Sequence, residues 1–515
     1  MLGIMKPIYQ PNDLTEREAP LDMNGEEFRK LGHRLVDQIA GFLDGVRDRP
    51  VTRDNSPAAL RILLGSDDLP TRGTPASELF EEVSDLLFDH SLLNGHPRFW
   101  GYITSSPAPI GALADLLAST VNPNVGAAIL SPIATEIEAQ TVRWIADLIG
   151  FPRNCAGLLV SGGNMANFVG FLAATNAKAT WNLKEDGFRS SDKQLVAYVS
   201  AETHTWIDKA AELFGLGKNA IRVVPVSSDQ KMDATALESQ IKMDVASRYL
   251  PFLVIGAAGT VGTGAVDPLQ AIAEICRKYD LWFHVDGAYG APAAALPDAD
   301  ADLRALSQAD SIALDPHKWL YAPLEAGCIL VRDPRHLIDA FSHNPAYYNF
   351  TGAEDDPQIN YHEYGPQNSR GFRALKVWLA LRQVGREGYV KMISADIALS
   401  KALHRAAELH SEIEAGTQNL SITTFRFVPE GMDASTEENR LYIDDLNREI
   451  LNQLQRGGEV FVSNAIVEGS YFLRACIVNF RTTLTDVNAL LDIVVRVGRH
   501  VDAERNRPNS VALSC

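Results

Sequence analysis

A lysine between histidine and tryptophan follows a short apolar run in Leu314-Asp315-Pro316-His317-Lys318-Trp319. Upstream, a carboxylate closes another apolar run in His284-Val285-Asp286-Gly287-Ala288-Tyr289-Gly290. A lysine withdrawn from water holds its proton less tightly and becomes an amine nucleophile for an aldehyde. A carboxylate at the end of a run as apolar as Leu281–Val285 needs a cation partner, because burying it alone is costly. An amine for an aldehyde and an anion for a pyridinium nitrogen are together what pyridoxal 5'-phosphate takes from a protein. Lys318 would form the Schiff base, Asp286 would keep the ring nitrogen protonated, and Ala288 is small enough to let a flat ring approach.

Two further segments bear on that chemistry. Ser161-Gly162-Gly163-Asn164 follows the run Leu158–Val160 and leads into a helical pattern, so its backbone N–H groups and the helix dipole suit a phosphate. It reads equally as a plain strand-to-helix turn with Asn164 as cap. His204, in Ser200-Ala201-Glu202-Thr203-His204-Thr205-Trp206, follows another strand end, where an imidazole can stack on a ring and move a proton near neutral pH. Taken singly, Lys318 is an ordinary surface lysine, Asp286 the partner of a structural arginine, and His204 a loop residue. Their arrival in order at successive strand ends is what makes coincidence the poorer explanation.

The elements that must position them alternate. Seven apolar runs, Gly157–Val160, Leu195–Ser200, Ile221–Val226, Phe252–Ala257, Leu281–Val285, Ser311–Leu314 and Cys328–Val331, are mostly separated by helical stretches such as Asn164–Asn176, Ala234–Ala246 and Pro268–Tyr279. Parallel strands need crossover helices, so this is an α/β lobe with a mainly parallel seven-stranded sheet, which binds ligands beyond the carboxyl ends of its strands. Ahead of it, Glu26–Val46 and Ser77–Asp89 have helical periodicity, with Pro50–Thr74 read as a connector. Ser131-Pro132 opens a helix running to about Ile149, with serine as cap and proline in the first turn. Arg370–Val384 is a further helix, Phe461–Val467 and Tyr471–Asn479 are strands, and Thr485 caps a last helix ending near Arg499. The resulting division is a helical segment over 1–95, a large α/β domain over 96–388 and a small α+β domain over 389–515.

With 515 residues the chain exceeds what one core fills, which agrees with several lobes. A formal net charge of −18 excludes nucleic acid as a main partner and gives no attraction to anionic membranes. The first twelve residues lack the apolar core of a signal peptide, and no apolar stretch is long enough to span a bilayer. Five scattered cysteines support neither a disulfide framework nor a zinc site, so a cytoplasmic protein without a metal is expected.

The order Ser-Gly-Gly-Asn, His204, His-Val-Asp-Gly-Ala-Tyr-Gly and Asp-Pro-His-Lys-Trp resembles the group II pyridoxal-phosphate-dependent decarboxylases of fold type I, best known from the aromatic-L-amino-acid decarboxylases. The resemblance runs from Met23-Asn24-Gly25 to Leu473-Arg474-Ala475-Cys476. It implies decarboxylation of an L-amino acid to its amine by a homodimer with sites at the subunit interface. Lys318 would carry the cofactor, Asp286 pair with its ring nitrogen, His204 stack on the ring, and Ala288 pack on the opposite face. Gly163, Asn164, Asp315 and His317 would surround the phosphate.

In that family a tyrosine on the loop before an Arg-x-Phe-Arg-x-Leu-Lys helix returns the proton after carbon dioxide leaves. Counting back from Arg370-Gly371-Phe372-Arg373-Ala374-Leu375-Lys376 puts it on Tyr361, within the loop Tyr347–Asn368. Tyrosine there and histidine at 204 favour simple decarboxylation over oxygen-consuming aldehyde synthesis. His96-Pro97-Arg98-Phe99-Trp100-Gly101-Tyr102 matches a pocket-lining segment, placing Tyr102, Thr104 and Ser105 near the substrate. Asn124 and Gly126, expected to reach the partner's pocket, imply a wider and more polar one than in the animal aromatic enzymes. Val261 replaces a family threonine. An aromatic substrate is therefore the first expectation. A non-aromatic one such as 2,4-diaminobutyrate, an aldehyde synthase and a non-catalytic binding protein of the same fold are the alternatives.

Overall fold

The computed structural model describes residues 19–65, 68–188, 193–343 and 358–505. The chain divides into two compact units between Leu92 and Leu93. The first holds the helices Gly25–Gly45, Pro57–Leu64 and Ala76–His90. Asn24 caps the first of these by accepting from the N–H groups of Glu26 and Glu27. The helix Pro57–Leu64 lies inside the stretch read as a connector; Ser56 caps it and Pro57 fills its first turn, so the Ser-Pro signal used at 131–132 was present here too.

In the second unit all seven expected strands form one sheet: β1 (Ala156–Val160), β2 (Leu195–Ser200), β3 (Ile221–Val224), β4 (Leu250–Ala257), β5 (Trp282–Asp286), β6 (Ser311–Leu314) and β7 (Gly327–Val331). Their order is β1-β7-β6-β5-β4-β2-β3. β2 through β6 pair in parallel, while β7 runs antiparallel to both β1 and β6. β1, β2, β4 and β6 are buried along nearly their whole length, as strands covered on both faces must be. This connectivity delivers the ends of β1, β2, β4, β5 and β6 to one edge of the sheet, and the cavity opens there.

A second, antiparallel sheet has the order β10-β11-β9-β8, from β8 (Ile413–Asn419), β9 (Ile422–Phe427), β10 (Ser463–Val467) and β11 (Ser470–Cys476). β8 and β9 went unread in the sequence because Thr, Gly, Gln and Arg interrupt their alternation. The helix Ala374–Glu408 lies against β8 and β9 and against the helices Pro109–Val121 and Pro132–Leu148, and it breaks at Gly385, whose φ of 66° is left-handed. Its Lys376 Nζ lies 3.1 Å from Asp115 Oδ2, and Tyr389 donates to the Leu320 carbonyl at 3.1 Å. Asp396 accepts from Trp319 Nε1 at 2.9 Å and from the Tyr321 hydroxyl at 2.5 Å, and Ser400 Oγ lies 2.8 Å from Thr423 Oγ1. Burial pushes the Asp396 carboxyl up to about 7.

Two expected caps differ in detail. Ser131 occupies the cap position of Pro132–Leu148, but its hydroxyl donates to the Asn124 carbonyl at 2.8 Å instead of capping. The last helix, Leu484–Ala503, is capped by Thr483, not Thr485, in a reciprocal capping box with Asp486.

Candidate active site

A cavity of about 330 Å³ lies at the carboxyl edge of the large sheet, and one residue after another from the strand ends lines it: Gly163 and Asn164 beyond β1, His204 beyond β2, Asp286 ending β5, Lys318 beyond β6. Ala288, Asp315 and His317 complete the expected cofactor set. Lys318 Nζ lies 3.0 Å from Asp315 Oδ2, and the turn is closed by Lys318 N–H on the Asp315 carbonyl. Lys318 is the one lysine among the described lining residues.

Asp286 is held on both oxygens: Trp206 Nε1 donates to Oδ2 at 2.8 Å and the Ala288 N–H to Oδ1 at 3.2 Å. His204 is open to the cavity, and its Nδ1 accepts the Trp206 backbone N–H at 3.3 Å. With Nδ1 used as acceptor, the neutral ring carries its proton on Nε2. Desolvation lowers the imidazole's proton affinity, Asp286 opposing and Lys318 adding to the effect. His317 is also shifted down, by burial first, so its 3.8 Å approach to Asp315 Oδ1 joins a neutral ring to a carboxylate.

The residues fit pyridoxal phosphate on three counts. The helix Gly163–Lys178 starts at Gly162, whose φ of 111° only glycine tolerates comfortably, and no side chain caps its first turn. Its leading N–H groups are therefore available to an anion. A Cβ on Gly163 would stand 2.6 Å from Asp315 Oδ2, so glycine is needed where the cradle meets the lysine turn. Asp315 Oδ1 and Thr203 Oγ1, both from lining residues, are buried without a hydrogen-bond partner. Such groups mark a place built for something else.

Other expected residues lie elsewhere. Tyr361 is 1 % exposed and packs in the apolar cluster with Leu158 and Val160, with the Arg370 guanidinium 4.6 Å above its ring. Burial pushes its hydroxyl well above the usual tyrosine range. Tyr361 is therefore not among the residues that line this cavity. The Tyr347 end of that loop, through residue 357, is outside the described residues.

Ser105 spends its hydroxyl on the His317 carbonyl at 2.8 Å, supporting the lysine turn from behind. Asn124 accepts from the Gly126 and Arg370 N–H groups, and a Cβ on Gly126 would stand 2.2 Å from the Asn368 carbonyl oxygen. Within this chain both therefore meet close neighbours, and neither lines the cavity. Tyr102, 58 % exposed with a left-handed φ of 52°, and Thr104 are likewise not among the lining residues. Their neighbour Ile103 is.

The sequence reading missed Ile103, Trp206 and Arg474. Arg474 on β11 is 2 % exposed and donates from Nη1 to the Tyr102 carbonyl and Ser463 Oγ, both at 3.0 Å. Its Nε and Nη2 have no hydrogen-bond partner. Only Trp206 had a signal, as a large aromatic placed two residues after His204.

Residues 57–428 match the pyridoxal-dependent decarboxylase conserved domain. An aromatic-L-amino-acid decarboxylase of Bacillus atrophaeus is 32% identical over 478 residues, covering 93% of this chain and 96% of its own. Tyrosine decarboxylase 3 of Petroselinum crispum is 30% identical, covering 95% of each. Among solved structures, Catharanthus roseus tryptophan decarboxylase in complex with L-tryptophan superposes with a TM-score of 0.84 at 27% identity, over 94% of this chain and 100% of that one.

Proposed function

The chain belongs to the pyridoxal-dependent decarboxylase family, and from that premise we propose that its substrate is an aromatic L-amino acid, converted to the corresponding amine and carbon dioxide. The observation that carries the aromatic reading is near-full-length similarity, at 30% identity or more, to decarboxylases named for aromatic substrates. Apolar lining by Ile103, Ile255 and Val261 supports it.

When bound, pyridoxal phosphate supplies an electron-withdrawing ring that accepts the electron pair left by the departing carboxylate. In our reading Gly163, Asn164 and His317 would hold its phosphate, Lys318 would hold its aldehyde carbon, and Asp286 would hold the ring nitrogen. His204, whose neutral imidazole is open to the cavity, would relay a proton from solvent to the substrate carbon after carbon dioxide leaves, taking up one proton for the one it gives. One proton thus replaces one carboxylate.

Incubation of the cofactor-loaded enzyme with tryptophan, tyrosine, phenylalanine and 2,4-diaminobutyrate tests the reading by mass spectrometry. An aromatic amine matching the carbon dioxide released, with no oxygen uptake, is expected. A diamine alone would overturn the substrate class, and peroxide with an aldehyde would replace amine formation by aldehyde synthesis.

We further read the enzyme as a cytoplasmic homodimer built from a helical 1–95 segment, a 96–388 cofactor domain and a 389–515 domain. Leu113, Leu116, Leu117, Val121, Ile129 and Ile133 are all exposed, an apolar surface of the kind subunits cover. The helices of the first unit also expose Phe28, Leu79 and Leu87. Cys155, Cys276, Cys328 and Cys476 are free thiols, which suits a reducing compartment. A fully active monomer by light scattering would overturn the dimer.

A further inference from the structure

We propose that Trp206 is the positioning residue for the cofactor ring's two protein neighbours, holding the Asp286 carboxylate through its indole and the His204 imidazole through its backbone. The inference rests on the decarboxylase reading above and deepens it, because no part of that reading requires a tryptophan at this place.

Two hydrogen bonds leave this residue in different directions. Nε1–H donates to Asp286 Oδ2 at 2.8 Å, and the main-chain N–H donates to His204 Nδ1 at 3.3 Å. The first, with the Ala288 N–H on Oδ1, fixes the rotation of the carboxylate while leaving each oxygen a further lone pair for the ring nitrogen. The second fixes the imidazole tautomer with its proton towards the cavity. Trp206 is fully buried and opens the helix Trp206–Leu213, so both donors come from one rigid point.

The indole is itself seated on an ordered platform. It meets the His284 ring edge-to-face, with centroids 6.0 Å apart and planes at 78°. His284 is wholly buried, and burial pushes it down to about 4, so it is a neutral ring with one donor and one acceptor nitrogen. Its Nε2 lies 2.8 Å from Asn167 Oδ1, a carbonyl oxygen that can only accept, so Nε2 carries the proton. Nδ1 then accepts from the Ser311 hydroxyl at 2.7 Å, and Ser311 Oγ accepts from Trp282 Nε1 at 2.8 Å. Every donor in this chain has one direction. A Cβ on Gly170 would stand 2.7 Å from the His284 ring, so glycine there makes room for the platform. Asn167 belongs to the phosphate-cradle helix Gly163–Lys178 and Ser311 to β6, which leads to Lys318. The platform therefore ties together the elements that present the phosphate cradle, Asp286 and the lysine, and Trp206 carries its register to the carboxylate.

The test uses apoenzyme and holoenzyme of the full chain. Cofactor affinity is measured by titrating apoenzyme with pyridoxal phosphate, and the pH midpoint of the visible absorption of the bound cofactor is measured on holoenzyme. Trp206→Phe and a second variant carrying the benzothiophene isostere of tryptophan at position 206, which keeps the shape and loses only the N–H, are compared with wild type. Trp100→Phe is the packing control, since Trp100 is 1 % exposed, its Nε1 bonds Thr482 Oγ1, and neither residue lines the cavity.

Both 206 variants are expected to bind the cofactor more weakly by on the order of tenfold, the usual worth of a hydrogen bond to a charged group. Both are also expected to move the absorption midpoint, while Trp100→Phe moves neither reading. If the isostere matches wild type in both measurements, the indole N–H does no positioning and the proposal falls, even should Trp206→Phe fail to fold. If Trp100→Phe moves the midpoint as far as the 206 variants do, the effect is general packing and the proposal falls as well. Failure of the underlying reading looks different: wild-type apoenzyme would then not bind pyridoxal phosphate at all.

Discussion

Lys318→Ala is expected to lower amine formation by on the order of 10³-fold or more, because it would remove the amine proposed to hold the cofactor's aldehyde carbon. No other lysine stands among the described lining residues, so no neighbour can take over. The side chain is half-buried and bonded only to Asp315, whose second oxygen already lacks a hydrogen-bond partner. The variant should therefore fold and bind the cofactor without a covalent link. Borohydride reduction followed by peptide mass spectrometry checks this directly. Wild type should carry the label on the peptide containing Lys318 and the variant none; a label on any other lysine would remove Lys318 from its assigned role.

Asp286→Asn should be nearly as severe in rate and nearly silent in stability. The amide oxygen can still accept the Trp206 N–H now bonded at 2.8 Å, so shape and one anchoring bond survive. What is lost is the negative charge that opposes the ring nitrogen. A fixed charge aimed at a developing one in a water-poor site is worth on the order of 10²- to 10³-fold in kcat. A kcat fall of that size with melting temperature within about two degrees of wild type is the expected pair of results. Retention of a third or more of the wild-type rate would show that the carboxylate is only a structural end to β5.

Much of this site could be read from the sequence because its chemistry sits on the most regular part of the fold. Lys318, Asp286, His204 and Gly163 each follow a short, strongly apolar strand, and a parallel sheet brings such ends to one edge whatever the loops do. The expected residues that do not line the cavity all depend on irregular backbone. Tyr361 was located by counting along a loop whose path spacing does not determine, and within this chain it packs beneath Arg370. Asn124, Gly126 and Ser105 look like free polar or small residues in sequence, yet their hydrogen bonds and close contacts run to residues more than two hundred positions away. Arg474 was invisible for a related reason: nothing local in a strand announces that its guanidinium will be buried beside Tyr102. The small sheet was only half legible, since the Gly-Thr-Gln stretch of β8 breaks the alternation that identified β10 and β11.

The helix Ala374–Glu408 has a consequence for how this protein can be taken apart. Within a single element it grips Asp115 through Lys376, the residues beside Lys318 through Tyr389 and Asp396, and the small sheet through Ser400. A cut or a splice just after residue 388 would leave the first part of this helix without the carboxylate that steadies Trp319 and Tyr321. The C-terminal portion is thus not a cassette to be exchanged between relatives; a chimaera that preserves the lysine's geometry must keep both halves of the helix from one parent.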